Sequence, residues 1–298
     1  MKIIDFIVFT GGPRAYAPNR LRKEAKKNNI IFRAYLYKYL NIKLNGAPQN
    51  YIFSYKGREL PPAKGVFLRA LGEMAEYNPY KYFLIDWFES KSAKVINSAS
   101  FKKWPSLDKT SQHLVYLKND IPFINSAVFG SQESATAWAN PSRFPFIVKS
   151  NVGSCGTEVY KIKSRRALKR LLKPFNKRTV KGLLFQEFLP GGEDLRVIVL
   201  NGKVLGAMKR IASKGNYLTN YSRGGSVENY DLTGDASASK IALKVTDTFS
   251  LDYCGVDLMR GKDGGWKVLE VNRACQFEGF EKATGVNVAK KVLEFAVG

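Results

Sequence analysis

Histidine and cysteine are scarce in this sequence. It contains a single histidine, His113, and three cysteines, Cys155, Cys254 and Cys275, whose spacing fits no metal-binding pattern. A Ser-His-Asp triad or a zinc site built on histidines therefore has almost no material to draw on. An odd number of cysteines without a metal motif is typical of a reducing compartment, so a cytoplasmic location is expected.

Long apolar runs are missing as well. No stretch of about 18 apolar residues occurs, so neither a transmembrane helix nor a membrane partner is expected. The opening residues 3–10 include Asp5 and run directly into a Gly-Gly-Pro turn, which predicts a first strand and not a signal peptide. The 298 residues are sufficient for one large or two ordinary domains.

Acidic residues are few compared with basic ones. The chain has 25 Asp and Glu against 48 Lys and Arg, a formal net charge of +23. A field of this sign favours polyanionic partners such as nucleic acid, acidic peptides or nucleotide phosphates. No nucleic-acid-binding motif accompanies the charge. Solubility alone is the other explanation, so the charge by itself names no partner.

Predicted strands alternate with predicted helices along the chain, which favours a mixed α/β (α+β) fold. Hydrophobic residues make up 45% of the sequence, enough for a globular core. Ser131 is expected to cap the start of a helix. The Asn201-Gly202 dipeptide is the strongest hairpin signal and should join two neighbouring strands.

Three other segments give specific structural predictions. A second strand is predicted over residues 30–38. A helix is predicted over 108–118, with Leu114 and Leu117 on one face, and the strand after it over 123–128.

The most informative motif lies in residues 254–271, which read as two strands joined by a glycine-rich turn. The centre of that turn sets Asp257 opposite Glu270. Because side chains alternate along a strand, Glu270 and Asn272 share a face. Two carboxylates and an amide oxygen suit Mg²⁺ when nucleotide phosphates and water complete its shell. A surface hairpin with solvated acids is the alternative for the motif taken alone.

A second motif is a lysine at the end of a strand, ahead of a glycine-containing loop. Lys149 is followed by Gly153-Ser154-Cys155-Gly156. The ammonium group can neutralise phosphate charge, and small residues allow backbone N–H groups to approach phosphate oxygens. The loop lacks the Gly-Lys-Ser/Thr ending of a P-loop. An ordinary turn is the alternative.

Two further motifs follow along the chain. The strand 184–189 leads into a Pro-Gly-Gly linker and Asp194, an arrangement that can offer backbone groups to an adenine and a carboxylate to ribose hydroxyls. Arg210 and Arg223 flank a loop containing Asn220, and guanidinium groups there could clamp phosphate and carboxylate bidentately.

The order and spacing of these motifs resemble the ATP-grasp superfamily, and specifically the RimK-type glutamate ligases. The resemblance covers roughly residues 105–298 and rests on the Arg-Gly-Gly-Ser stretch at 223–226, the Glu-x-Asn pair at 270–272 and the Glu-Lys-Ala-Thr-Gly segment at 281–285. It implies an ATP-grasp fold with three parts: a preceding α/β domain (1–105), a central subdomain with the glycine flap (106–182), and a C-terminal subdomain with the metal site (183–298).

The resemblance also implies roles for individual residues. Asp257, Glu270 and Asn272 would hold two Mg²⁺ ions, or Mn²⁺ in their place. Arg210 and Arg223 would be catalytic and face the acyl phosphate and the carboxylate substrate. The residues that would bind ATP are Lys149, Gly153, Ser154, Gly156, Glu187, Phe188, Asp194 and Asn220. A second phosphate lysine is also expected, with Lys103 and Lys109 as the two candidates.

The implied function is an ATP-dependent carboxylate–amine ligase that works through an acyl phosphate. Its partners would be a carboxylate substrate, such as an acidic peptide, and an amine or amino acid. The chain departs from the RimK-type pattern at Leu218 and Ser222 and over residues 273–277, which puts glutamate as the substrate in doubt. A non-catalytic nucleotide- or nucleic-acid-binding protein and a kinase-like phosphotransferase are the alternatives.

Overall fold

The structure is a computed structural model that describes residues 3–12, 15–46, 51–69, 78–151, 158–175, 182–213, 215–219 and 224–298. The described helices are α1 (Tyr16–Lys27), α2 (Asn78–Glu89), α3 (Ser98–Lys103), α4 (Lys109–Lys118), α5 (Gln132–Trp138), α6 (Arg165–Leu172), α7 (Ala236–Thr248), α8 (Glu278–Thr284) and α9 (Val288–Val297). Among these helices, none has the length and apolar character needed to cross a membrane.

The described strands form four sheets. The strands are β1 (Ile4–Thr10), β2 (Phe32–Leu36), β3 (Leu40–Leu44), β4 (Tyr51–Tyr55), β5 (Arg58–Glu59), β6 (Ala63–Leu68), β7 (Lys94–Val95), β8 (Ser126–Ala127), β9 (Phe146–Ser150), β10 (Val159–Ile162), β11 (Leu183–Glu187), β12 (Glu193–Leu200), β13 (Lys203–Ile211), β14 (Ser226–Tyr230), β15 (Tyr253–Arg260) and β16 (Trp266–Asn272). The mixture of sheets and helices confirms the predicted α/β class.

The N-terminal sheet is parallel, in the order β2-β1-β6-β7. Both of its faces are covered, as the continuous apolar run of β1 requires. Phe6 and Val8 of β1 pack with α1 and α9 on one face, and Ile7 and Phe9 pack in a second core that includes α2 on the other. A small antiparallel sheet, β3-β4-β5, adjoins this second core.

Helix α9 lies directly against the parallel sheet. A Cβ atom on Gly65 of β6 would lie 2.6 Å from the carbonyl oxygen of Ala296 and 2.8 Å from its Cβ. Only a residue without a side chain allows this approach. The last described helix therefore completes the core built by the first strands.

The central sheet is antiparallel, in the order β10-β9-β11-β8. Phe146, Val148 and Phe185 form one of its faces and pack beneath α5 and α6. The predicted N-cap is confirmed, because the Ser131 hydroxyl accepts a hydrogen bond from the Ser134 N–H at the start of α5.

The C-terminal sheet is antiparallel, in the order β14-β13-β12-β15-β16. One face of its central strands packs against α7 through Val197, Val256 and other apolar residues. The Asn201-Gly202 hairpin is confirmed: both residues have positive φ, 50° and 67°, as a type I′ turn requires. β12 and β13 pair on either side of this turn.

Two strand predictions were too long. The strand predicted over 30–38 ends at Leu36, where a 3₁₀ turn begins. The segment 123–128 is not one strand, because it passes between two sheets. Phe123 forms a parallel bridge with Val268 of β16, and only Ser126–Ala127 then pairs with β11.

Helix α4 forms as predicted, but Leu114 and Leu117 face solvent, with exposures of 58% and 64%. The buried face carries Gln112, whose side chain donates to the Val271 carbonyl and accepts from the Val271 N–H at 2.8 Å. Gln112 thereby satisfies backbone groups of β16. This polar contact orients the helix in a way that its apolar spacing does not indicate.

Candidate active site

A cleft lies between the central and C-terminal sheets, with α4 at one side. Its empty volume is about 890 Å³, including the part open to solvent. The residues of the cleft wall that carry charge are Lys109, Lys149, Glu158, Glu187, Asp194, Arg210, Asp257 and Glu270. Strand alternation produces this wall: Ile147 and Lys149 of β9 line the cleft, whereas Phe146 and Val148 enter the core beneath α5 and α6.

Lys149 supplies a buried positive charge to the cleft. It is 8% exposed, and within the described ranges its ammonium group makes no hydrogen bond or ion pair. Burial lowers the pKa of Lys149 to about 8, while the nearby Glu270 carboxylate acts in the opposite direction. A buried cation of this kind is stabilised by an anionic ligand, as a phosphate-binding role predicts.

The two candidates for the second lysine occupy different places. Lys109 is buried at the start of α4 and lines the cleft, and its backbone N–H donates to the Asn151 carbonyl. Lys103 is exposed, and its Nζ lies 5.6 Å from the centre of the Trp104 ring. The geometry favours Lys109 beside Lys149.

The end of β11 forms the opposite part of the cleft. Glu187 is the last residue of the strand, so the backbone of Phe188 leaves the ladder at the cleft wall. The Glu187 carboxylate forms an ion pair with Lys262 at 2.5 Å and accepts from Asn125 at 2.9 Å. Lys161 lies 3.5 Å from the centre of the Phe188 ring. Because these contacts engage the side chains of Glu187 and Phe188, the predicted contact with adenine is left to their main chain.

Asp194 is buried and accepts hydrogen bonds from two neighbouring side chains. It accepts two hydrogen bonds from Arg210, at 2.5 and 2.8 Å, and one from the Thr219 hydroxyl at 2.5 Å. The pairing follows from register, because Asp194 and Arg210 lie opposite each other in β12 and β13. Asp194 thus holds Arg210 in place, and its predicted contact with ribose stays a prediction.

Asp257 is also held by arginines. Arg196 donates to both of its oxygens, at 2.7 and 2.6 Å, and Arg210 donates a third hydrogen bond at 2.8 Å. Burial alone would raise the pKa of Asp257, but the two guanidinium groups outweigh it and the pKa is lowered. The carboxylate therefore stays ionised.

The predicted metal ligands lie on adjacent strands. Asp257 is paired with Glu270 in the register of β15 and β16, as the turn predicted, and Gly255 is paired with Asn272. Within the described ranges no cluster of three or more His, Cys, Asp or Glu side chains could hold a metal ion, so the set has two carboxylates and one amide.

The donor set nevertheless fits Mg²⁺. A carboxylate offers about four lone-pair sites, and Asp257 uses three of them for arginines. Glu270 lines the cleft, and its carboxylate makes no hydrogen bond to any residue that the structure describes. Oxygen donors of this type, completed by phosphate and water, are what Mg²⁺ prefers.

Arg196, which holds Asp257 in place, is not indicated by any of the sequence motifs. Its only signal is the alternation of charged residues, Asp194 and Arg196 on β12 and Asp257 on β15, along one face of strands whose other face is apolar. The remaining predicted site residues are Gly153, Ser154, Gly156, Asn220 and Arg223, and they lie outside the described residues.

Comparison with solved structures identifies the fold. The ATP-grasp ligase PsnB, complexed with a minimal precursor, superposes with a TM-score of 0.72 over 99% of this chain and 98% of its own, at 18% identity. A RimK-domain ATP-grasp protein from Sphaerobacter thermophilus superposes with a TM-score of 0.68 over 99% of this chain and all of its own, at 16% identity. The fold is therefore that of the ATP-grasp enzymes.

Proteins of similar sequence show to which family within the ATP-grasp fold the chain belongs. A probable alpha-L-glutamate ligase from Shewanella frigidimarina is 30% identical, covering 94% of this chain and 91% of its own length. One from Haemophilus influenzae is 28% identical, covering 95% of each chain. Residues 106–296 match the RimK-like ATP-grasp domain, and the chain belongs to this family.

The chain is accordingly an ATP-dependent carboxylate–amine ligase of the ATP-grasp class. ATP and Mg²⁺ are the cofactors of this class, and one PsnB complex contains Mg and ADP.

Proposed function

We propose that this ligase joins L-glutamate, through its amino group, to a carboxylate of an acidic acceptor. In the first step the acceptor carboxylate attacks the γ-phosphorus of ATP and ADP leaves. In the second step the glutamate nitrogen attacks the acyl carbon, loses a proton, and phosphate leaves. The full-length similarity to proteins named alpha-L-glutamate ligases supports glutamate as the amine.

The observation that carries the catalytic part is the charge arrangement across the cleft. Lys149, a buried lysine with no ion pair to any described residue, faces two carboxylates, Asp257 and Glu270, that the sheet register sets side by side. We assign Lys149 and Lys109 to the phosphates of ATP. Bound Mg²⁺ would neutralise phosphate charge as it develops during transfer.

The other roles belong to the same proposal. Glu187 and Phe188 would hold adenine through their main chain, and Asp194 would contact the ribose. Arg210 would face the acyl phosphate, because it lines the cleft beside Asp257. Gly153, Ser154, Gly156 and Asn220 are proposed for the triphosphate, Asn272 for the metal, and Arg223 for the carboxylate substrate.

An acidic acceptor is supported by the surface of α6. Arg165, Arg166, Lys169 and Arg170 are exposed on the helix and Lys163 just before it, and none forms an ion pair with an acid in the described part of the chain. Some cations elsewhere do have acidic partners, such as the exposed Lys102 and the half-buried Lys209. Unpaired positive charge on this scale attracts a polyanion.

The location stays a proposal as well. Cys254 and Cys275 are free and buried, as a protein of a reducing cytoplasm would have them.

The test is an ADP-release screen with Mg²⁺, in which each amino acid is paired with peptides ending in glutamate or in neutral residues. We expect the highest rate with L-glutamate and an acidic peptide, together with a product heavier by one glutamate residue. If ADP were released with a different amino acid and not with L-glutamate, glutamate would be rejected as the amine. A phosphorylated acceptor without an added amino acid would favour a kinase.

A further inference from the structure

The only histidine of the chain lies behind the cleft wall and is hydrogen-bonded through both ring nitrogens. Nδ1 of His113 lies 2.7 Å from the Lys109 carbonyl oxygen, and Nε2 lies 3.2 Å from Nε2 of Gln186. A carbonyl oxygen can only accept, so Nδ1 carries the hydrogen. In the neutral ring Nε2 is then an acceptor, and the Gln186 amide must donate to it.

A second contact fixes the same amide. Nε2 of Gln186 also donates to the Ser126 hydroxyl at 3.1 Å, and that hydroxyl donates to the Ile124 carbonyl at 2.7 Å. The chain of hydrogen bonds through His113 ends on the Lys109 carbonyl, and the chain through Ser126 ends on the Ile124 carbonyl. These two carbonyls can only accept, so they determine the direction of every hydrogen bond between them. Turning the amide over would place its oxygen against the Nε2 lone pair of His113.

Gln186 lies in the cleft wall and has one further polar side-chain atom. It is 2% exposed, it lines the cleft, and both amide hydrogens are committed to His113 and Ser126. The other polar atom is Oε1, which can only accept and makes no hydrogen bond to any residue that the structure describes. Gln186 directly precedes Glu187 and Phe188, at the part of the cleft assigned to the nucleotide base.

His113 stays neutral in this setting. Its pKa is lowered to about 4, chiefly by burial and also by the positive charges of Lys149 on β9 and Lys109 on α4, against the contribution of the Lys109 carbonyl. The remaining ring contacts are with Tyr116 and Phe123, at 5.6 and 5.4 Å between ring centres. The acceptor character of Nε2 is thus preserved at neutral pH.

We propose that His113 is a positioning residue that fixes Gln186 Oε1 as an acceptor for the nucleotide base, and that this orientation selects a 6-aminopurine over a 6-oxopurine. Adenine offers a donor at that position, whereas guanine offers an acceptor that Oε1 repels. The inference rests on nucleotide binding alone. It does not depend on the identity of the acceptor or of the amine.

The test compares affinities for ATP and GTP, measured with Mg²⁺ by displacement of a fluorescent ADP analogue. His113→Phe keeps a ring against Tyr116 and Phe123 but removes the acceptor for Gln186. We expect the GTP-to-ATP ratio of Kd values to fall roughly tenfold or more, because one fixed hydrogen bond and one repulsion are lost. Tyr116→Phe is the matched control, since it removes a hydrogen bond to Gln112 in the same helix. An unchanged ratio in His113→Phe, or an equal fall in the control, would overturn the proposal.

Two further measurements test the proposal even if the His113→Phe variant does not fold. Gln186→Met removes the acceptor directly, and retention of wild-type selectivity would again overturn the proposal. The imidazole ¹⁵N signals come from one residue, because the chain has one histidine. At pH 7 they should report a neutral ring with hydrogen on Nδ1, and hydrogen on Nε2 would contradict the proposed network. If glutamate addition proved wrong, these results would still stand.

Discussion

The carboxylate of Asp257 is charge-balanced before any metal arrives. Arg196 and Arg210 donate three hydrogen bonds to it, and Arg210 also pairs with Asp194. Removing one partner from a buried ionic network leaves a charge without compensation, which typically costs about 3–5 kcal/mol. Each of these residues therefore serves the fold as well as the site. Glu270 differs, because its carboxylate makes no hydrogen bond in the described part of the chain, and it can be changed at less structural cost.

Glu270→Gln should abolish turnover and leave the fold intact. The substitution removes a negative oxygen donor for Mg²⁺ but keeps the shape of the side chain. We expect the rate of ADP release to fall roughly a hundredfold or more and the melting temperature to stay near that of the wild type. Glu294→Gln, on the exposed side of α9, is the control and should retain full activity. A Glu270→Gln enzyme with the wild-type rate would remove Glu270 from the metal site.

His113 should make the stability of the fold depend on pH in a defined window. Its pKa in the folded protein is about 4, below the ordinary value of 6.5, so the unfolded chain binds the proton first as the pH falls. Above pH 6.5 the residue has no effect on the pH dependence. Between pH 6.5 and 4 the free energy of unfolding falls, by at most about 3 kcal/mol.

Urea unfolding of the wild type and His113→Phe at pH 7 and pH 4.5 measures this contribution. The variant should lose less stability over the interval than the wild type. Equal losses would show that folding does not lower the pKa of His113.

Single residues were predictable from the sequence where the cause was local. The turn at 261–265 fixed the pairing of Asp257 with Glu270, and the structure confirms it. The pairing of Arg196 with Asp257 joins residues 61 positions apart in the chain, and it depends on β12 lying beside β15. No local pattern specifies that neighbour, so the partner of Asp257 could not be predicted.

Among the elements, helix α9 depends on one glycine. Gly65→Ala places a methyl group 2.6 Å from the backbone oxygen of Ala296, and backbone cannot move aside as a flexible side chain can. We expect a loss of roughly 1–3 kcal/mol in the free energy of unfolding, as for an overpacked core. Gly130→Ala is the control, because a Cβ at Gly130 would meet nothing within 4 Å. Equal stabilities of the two variants in urea would show that α9 does not pack closely on β6.

The elements themselves were mostly predictable, and the exceptions share a cause. The start of helix α5 at Ser131 and the hairpin at Asn201-Gly202 follow from capping and turn chemistry within a few residues. The segment 123–128 and the orientation of α4 do not, because each serves two partners at once. Phe123 pairs with β16 while Ser126 pairs with β11, and Gln112 of α4 bonds to the backbone of β16. A helix or strand that is positioned by contacts with distant strands cannot be assigned from its own residues alone.

At the scale of the whole molecule, the net charge of +23 should govern encounter with the acceptor. We expect kcat/KM for an acidic peptide to fall steeply with added salt, while kcat at saturation changes little. The reason is that steering acts over about 8–10 Å near physiological ionic strength and is screened beyond it. A neutral acceptor should show almost no slope.

Charge-reversal variants show which part of the surface produces the salt dependence of kcat/KM. Arg166→Glu with Arg170→Glu on α6 should reduce the salt slope. The same change at Arg22 and Lys26, exposed on α1, should leave it nearly as in the wild type. Equal slopes in the two double variants would assign the steering to the overall charge and not to α6.

The contact between Gly65 and Ala296 also has a consequence for protein synthesis. During translation β6 leaves the ribosome long before α9, and at about 5–20 residues per second the interval is roughly 10–45 seconds. Throughout it, the apolar face formed by Phe6, Val8 and Phe67 lacks one of its two covering helices. The N-terminal part of the nascent chain therefore cannot finish folding on its own, and chaperones that bind exposed apolar strands have that interval in which to hold it.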